Sequence, residues 1–150
     1  MKPQELARWI RDEHEVVRGL SERLQEKVAI VPQANQQRWI QDLREAFDHL
    51  RAHLIKHFAL EEQDGYMVSV VHRRPSLARE VDRLAHEHGE IVRLLEGIHR
   101  AAHELMPDDR LLIRDCCRRI QNFLQYWERH ESDENFLVMT AFTEDIGGND

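Results

Sequence analysis

A chain of 150 residues with 21 Lys and Arg against 28 Asp and Glu carries a formal net charge of −7, which argues against a phosphate-binding surface and so against nucleic acid as a partner. The length suits one domain over residues 1–150 with a core that needs no staple, and the two cysteines, Cys116 and Cys117, are adjacent and fit a reducing compartment. The opening stretch MKPQELARWIRDEHE has no apolar secretory core and no run approaches the ~18 apolar residues of a membrane span, so a cytoplasmic protein with no membrane contact is expected.

The first helical block opens after Pro3, whose fixed φ suits a first turn, and runs to about Val31 before Pro32. Residues spaced alternately three and four apart mark the face a helix buries. Here they read Ala7, Ile10, His14, Val17, Ser21, Leu24, Val28 and Val31, so His14 interrupts the seam. Asn35 is placed to cap the second block, which continues to about His72. Gly65 inside it is a point of kinking or fraying, since glycine costs about 1 kcal/mol in a helix interior. The second seam is Ile40, Leu43, Phe47, Leu50, Leu54, His57 and Glu61, an apolar row that ends in a His/Glu pair.

The third block begins at Ser76 after Pro75 and ends near Leu105, before Pro107. Its seam is Leu77, Val81, Leu84, His88, Ile91, Leu95, Ile98 and Ala102, with His88 the polar member. Asp108 or Asp109 caps the fourth block, which runs to about Thr143 before Gly147 and Gly148. Its seam, Ile113, Cys116, Ile120, Phe123, Trp127, His130, Glu134, Leu137 and Ala141, is interrupted by a second His/Glu pair. No Val/Ile/Thr alternation is long enough for a strand, so the fold class is all-α. Four blocks of about 28 to 36 residues with short connections have the proportions of an up-down-up-down four-helix bundle.

The spacing His-x-x-x-Glu occurs three times, and helical phase separates the occurrences. His57/Glu61 and His130/Glu134 lie on seams, whereas His86/Glu90 lies off the third seam and reads as a solvated surface pair. His53, one turn before His57, is expected to border the core and face outward with His49, the alternative being a supporting hydrogen bond or an extra ligand at the site; Glu62 and Glu131 are expected to point into solvent. Counting residues from each turn brings His14, His57, His88 and His130 to one height within about 5 Å, or one helical turn. Six polar side chains, His14, His57, Glu61, His88, His130 and Glu134, thus converge on one slice of an apolar core.

Burying four imidazoles and two carboxylates together is prohibitive unless something cationic or strongly hydrogen bonding compensates. Mixed imidazole and carboxylate ligation suits iron, manganese or zinc, and no thiolate stands at this level. Two carboxylates that can each bridge, with two His on either side, make a two-metal centre. Each metal would take two His nitrogens, an oxygen from each Glu and an oxo or hydroxo bridge, with one position open for a small ligand. A zinc-stabilised bundle and a buried His/Glu network without metal are the alternatives.

The order of these residues resembles the hemerythrin-like, or HHE cation-binding, domain family: His14, then His57 and Glu61, then His88, then His130 and Glu134 on successive helices. The stretches HFALEEQDGY, LAHEHGEI and HESDENFLVMTAF followed by DIG are similar to it too, so the resemblance spans essentially the whole chain. It implies a non-haem centre of two iron ions that binds or senses O2, NO or iron, or alternatively a di-iron redox enzyme acting on O2, NO or peroxide. Oxygen-carrying members usually have a further His one turn from the third helix's ligand, where this chain has Leu84 and Val92. Four His and two Glu look more like the family's iron-sensing and di-iron stress-repair members.

Overall fold

The structure, a computed structural model, describes residues 2–63 and 65–147, the side chains of residue 3 and of residues 143–147 excepted. Four long helices, α1 (Pro3–Ala29), α2 (Gln36–Gln63), α4 (Ala78–His103) and α5 (Arg110–Gly147), are joined by a short helix α3 (Tyr66–Arg73) with a 3-10 turn (Pro75–Leu77) and by two brief connections. Strands are absent among the described residues. The helices close into a ring in which α1 packs on α2 and α5, and α4 packs on the same two. This is the expected four-helix bundle.

The connections form where sequence reading placed breaks. Asn35 and Asp108 take left-handed backbone (φ 58° and 73°), which Asn and Asp tolerate better than other non-glycine residues. The Asn35 carbonyl accepts the Trp39 amide as α2 begins. At the other end of that connection Trp39 Nε1 donates to the Lys27 carbonyl, fastening α1 to α2. Arg44 reaches across from α2 and donates to the carbonyls of Ala102, His103 and Leu105, at and just beyond the end of α4 where helical acceptors lack intrahelical partners.

The second block departs from expectation. It does not continue to His72: α2 stops at Gln63 and the chain restarts as α3. Gly65 does more than fray the helix, since a Cβ on it would stand 2.6 Å from the Glu61 Cα and 2.9 Å from the Glu61 and Leu60 carbonyl oxygens. Only a residue without a side chain lets the chain fold back this closely. The fold-back carries Tyr66 inward, and α3 packs against α2, α4 and α5. The fourth block, expected to end near Thr143, stays helical to Gly147; Gly148 lies outside the described residues.

The predicted seams are the buried faces, except that in α1 Leu6 rather than Ala7 is buried and Ser21 is half-buried, Val31 beyond its end is exposed, and Leu77 before α4 is half-buried. Apolar packing divides into two clusters. The larger runs from Val28, Trp39 and Ile113 at one end of the bundle to Leu54, Phe58 and Trp127. The smaller gathers Leu6, Ile10, Val81, Leu84 and Leu137 around Tyr66, Met67 and Val70 of α3. Between the two lies a polar slice.

Candidate metal centre

Each long helix supplies the slice from its own seam: α1 gives His14, α2 gives His57 and Glu61, α4 gives His88, and α5 gives His130 and Glu134. None of the six is more than 3 % exposed, and among the described residues no other charged side chain or histidine is buried. The i,i+4 spacing stacks each His over its Glu on one helix face, and the bundle then turns those faces toward each other.

Five of the six form two groups of possible ligand atoms, His14 with His57 and His88 with His130, and Glu134 is common to both. Glu134 Oε1 lies 3.5 Å from His14 Nε2 and 3.3 Å from His130 Nε2, while its Oε2 lies 3.7 Å from His88 Nε2. Glu61 spans the same gap from the opposite helix, its Oε1 being 3.2 Å from His57 Nε2 and 3.3 Å from His88 Nε2. Both carboxylates therefore sit between the two histidine pairs.

Partners on the outer side fix the rings. His14 Nδ1 lies 3.0 Å from Asn135 Oδ1, an amide oxygen that accepts its N–H, and His130 Nδ1 donates to Glu87 Oε1 at 2.8 Å. That assignment leaves Nε2 of each ring as a lone pair aimed into the cluster. Glu13 approaches His57 Nδ1 at 3.7 Å while pairing with His53 Nε2 at 2.7 Å. Aromatic rings fill the rest: Phe58 stacks on His88 with centroids 4.1 Å apart, Trp9 stacks on His57 at 5.3 Å, and Trp127 lies edge-on to His14 and His57. Tyr66 donates its phenol proton to Glu134 Oε2 at 2.7 Å.

The electrostatics are those of a site short of positive charge. Burial, and then the Glu134 charge, push the Glu61 carboxyl well above the usual range. Burial opposes ionisation of Glu134 as well, but the neighbouring Glu61, His130, His14 and His88 hold it well below that range. Burial lowers His57 to about 3, so its imidazole is neutral and needs no proton displaced before ligation. His130 goes the other way: burial disfavours its charge, yet Glu134 and Glu87 raise it above the ordinary value. Tyr66 is raised too, by burial and by Glu134, and stays a proton donor.

All six residues singled out from the sequence meet in this slice. The off-seam pair does not: the side chains of His86 and Glu90 are 73 % and 44 % exposed, lying 3.4 Å from each other, and Glu90 accepts from the Tyr126 hydroxyl. Two expectations about neighbours need correction. His53 borders the core as expected, yet it does not face outward with exposed His49: its half-buried ring pairs with Glu13, because α1 packs over that flank of α2. Glu131 is half-buried, its Oε1 3.9 Å from His14 Nδ1, whereas Glu62 is exposed as expected even with its Oε1 3.6 Å from His88 Nδ1.

Glu13, Glu87, Asn135 and Tyr66 were not anticipated. The first three had a signal, since each is the chain neighbour of a seam residue, beside His14, His88 and Glu134 respectively. One step off the seam, a side chain faces the adjacent helix, and each of these reaches a histidine there. Cys116 and Cys117, by contrast, are buried in the larger apolar cluster, where burial raises the Cys116 thiol to about 12 and makes it inert.

Of the ten buried side-chain nitrogen and oxygen atoms without a hydrogen-bond partner among the described residues, nine belong to these six side chains: Nε2 of His14 and His130, both ring nitrogens of His57 and His88, both oxygens of Glu61, and Oε1 of Glu134. Unpaired buried polar atoms are costly and rare, and their concentration at one point, in a mixed imidazole and carboxylate donor set, fits a bound cation. No match was found among curated proteins or among solved structures. Against known families, residues 5–142 match the one described as the hemerythrin HHE cation binding domain, a span that takes in all six residues. The chain belongs to that family.

Proposed function

We propose that the protein holds two iron ions between the paired histidines, and that binding of a small diatomic ligand such as O2 or NO, or of iron itself, is its output. The observation that carries this reading is the set of nine unpartnered atoms, divided into two histidine pairs that share Glu134 and are bridged again by Glu61. His14 and His57 would hold one ion, His88 and His130 the other, and the two carboxylates would join them. Iron in such a donor set supplies open positions for a small ligand and one-electron chemistry.

The protein's own part is exclusion and orientation. Phe58, Trp127 and Leu54 wall the site against water, each no more than 3 % exposed. Asn135 and Glu87 fix the tautomers of His14 and His130, so that Nε2 faces inward. Tyr66 favours a second reading, reduction of O2, NO or peroxide, because its phenol keeps a proton 2.7 Å from Glu134 where a reduction would consume one.

The test is anaerobic loading of metal-depleted protein with ferrous iron, followed by O2 or NO. About two irons per chain, with an intense near-ultraviolet band that saturates with the added gas, are expected from a centre of this kind. Protein that takes up no iron and gains no band overturns the proposal. Sustained consumption of O2, NO or peroxide with a reductant would establish the enzymatic reading over the binding one.

A further inference from the structure

A second set of metal-ligand atoms stands on the outside of the bundle, where α2 meets α4. Asp48 Oδ1 lies 2.9 Å from His99 Nδ1, and Asp48 Oδ2 lies 3.1 Å from His103 Nε2. The two imidazole rings are 4.3 Å apart, and one ligand atom from each of the three residues falls within 4.8 Å of the others. We propose that Asp48, His99 and His103 form a separate site for one divalent transition ion of the Zn2+ or Ni2+ type, independent of the centre in the core.

The helix builds this site by spacing. His99 and His103 are four apart near the end of α4, on a flank beside the seam that Ile98 and Ala102 bury. Asp48 occupies the facing flank of α2. The cations within one turn of it on its own helix are engaged elsewhere: Arg44 with three carbonyls at the end of α4, and Arg51 with Glu96 at 2.6 and 2.9 Å. The Asp48 carboxylate therefore faces the two imidazoles, and the negative end of the α4 dipole lies beside them.

Neighbouring ligands about 2.1 Å from one ion, at a right angle to a tetrahedral angle, are about 3.0 to 3.4 Å apart. The separations between Asp48 and the two imidazoles are close to that range. Two nitrogens and one oxygen suit zinc, nickel or copper, and not the all-oxygen shells of calcium or magnesium. All three side chains are between 30 % and 43 % exposed, so water completes the coordination and exchange is fast. His99 is eleven residues from His88, about 16 Å along α4, so the site shares no ligand with the core.

The test is a Zn2+ titration of chelator-treated protein, run on the full chain and on the variant His99→Gln with His103→Gln. The full chain should bind one more equivalent than the variant, and a mild chelator should withdraw that equivalent at once. Substoichiometric Ni2+ should broaden backbone amide signals around residues 48, 99 and 103 before any around 57, 88 and 130. His57→Ala, which disables the core, should leave the outer equivalent in place. Equal Zn2+ stoichiometry and affinity in the full chain and the double variant, with matching metal-free melting temperatures, overturns the site and leaves Asp48 as a hydrogen-bond acceptor for two histidines. Nickel broadening confined to the core signals overturns it equally.

Discussion

The His57/Glu61 pair on α2 and the His130/Glu134 pair on α5 have the same spacing and the same near-complete burial, yet they hold protons in opposite senses. On α2 the histidine is driven neutral and the carboxyl is driven protonated, both by burial first. On α5 burial acts in the same direction but is outweighed, because Glu134 is faced by Glu61 and three imidazoles, and His130 lies beside Glu134 and is backed by Glu87. Neither Glu61 oxygen has a hydrogen-bond partner. The motif alone does not decide its chemistry; what the neighbouring helices lend to each copy does.

Exchanging the carboxylates one at a time breaks that comparison most directly. Glu134→Gln removes the charge common to both histidine pairs, so the loaded protein should lose more than half its metal and melt at the temperature of the chelator-treated chain. Metal analysis and thermal denaturation check this; wild-type metal content would refute the shared role. The metal-free proteins should diverge. Glu61, raised in the folded state, contributes stability only when protonated and loses it as pH rises through its folded value. Glu134, lowered in the folded state, contributes stability above the ordinary carboxylate range and loses it as pH falls through its own. At pH 8, metal-free Glu61→Gln should therefore melt above wild type and metal-free Glu134→Gln below it, at about 2 to 4 °C for each kcal/mol. The advantage of Glu61→Gln should shrink on acidification.

Gly65→Ala tests how the α2 pair is held at all. The added methyl meets backbone atoms of Glu61 and Leu60, which cannot swing aside as a side chain would. Overpacking of this kind costs about 1 to 3 kcal/mol, and here the shift falls on Glu61 itself. Lower stability with a metal deficit is expected, read by thermal melts and metal analysis; a variant equal to wild type in both would show that the fold-back has slack.

The seams of α2, α4 and α5 were legible because an apolar row interrupted by one His or one His/Glu pair has a single phase, and burial follows it residue by residue from Ile40 to Glu61 and from Ile113 to Ala141. Tyr66 was not legible. It follows a break at Gly65 after which helical phase starts afresh, so no count from Glu61 places it beside Glu134. Glu13 and Glu87 were hidden for a different reason: their partners lie on another helix, and a contact across 40 or 43 residues depends on how the flanks of two helices mesh. His53 borders the core as its own helix dictates, but its pairing with Glu13 depends on the same meshing. Its own helix puts it at the edge, and α1 covers it.

Tyr66→Phe keeps the ring that fills the smaller apolar cluster and deletes one hydrogen bond to a buried carboxylate. In the metal-free protein the loss should be about 1.5 to 3 kcal/mol, the range for a bond to a charged group. In the loaded protein it should be smaller, since Glu134 would then have a cation to face. Paired thermal melts measure the difference, and an equal loss in both states would mean that the phenol does not report on the charge of Glu134.

The smallest effect belongs to the third His-x-x-x-Glu. His86 and Glu90 match the buried pairs in spacing, and even in separation, at 3.4 Å against 3.2 and 3.3 Å. They differ in solvent. An exposed pair of this kind gains little Coulomb energy in water and is screened by salt, so His86→Ala should change stability by no more than about 0.5 kcal/mol. Metal content and spectra should equal wild type. A loss of metal from this variant would mean that spacing, and not the burial that helical phase imposes, is what makes a His/Glu pair a ligand in this chain.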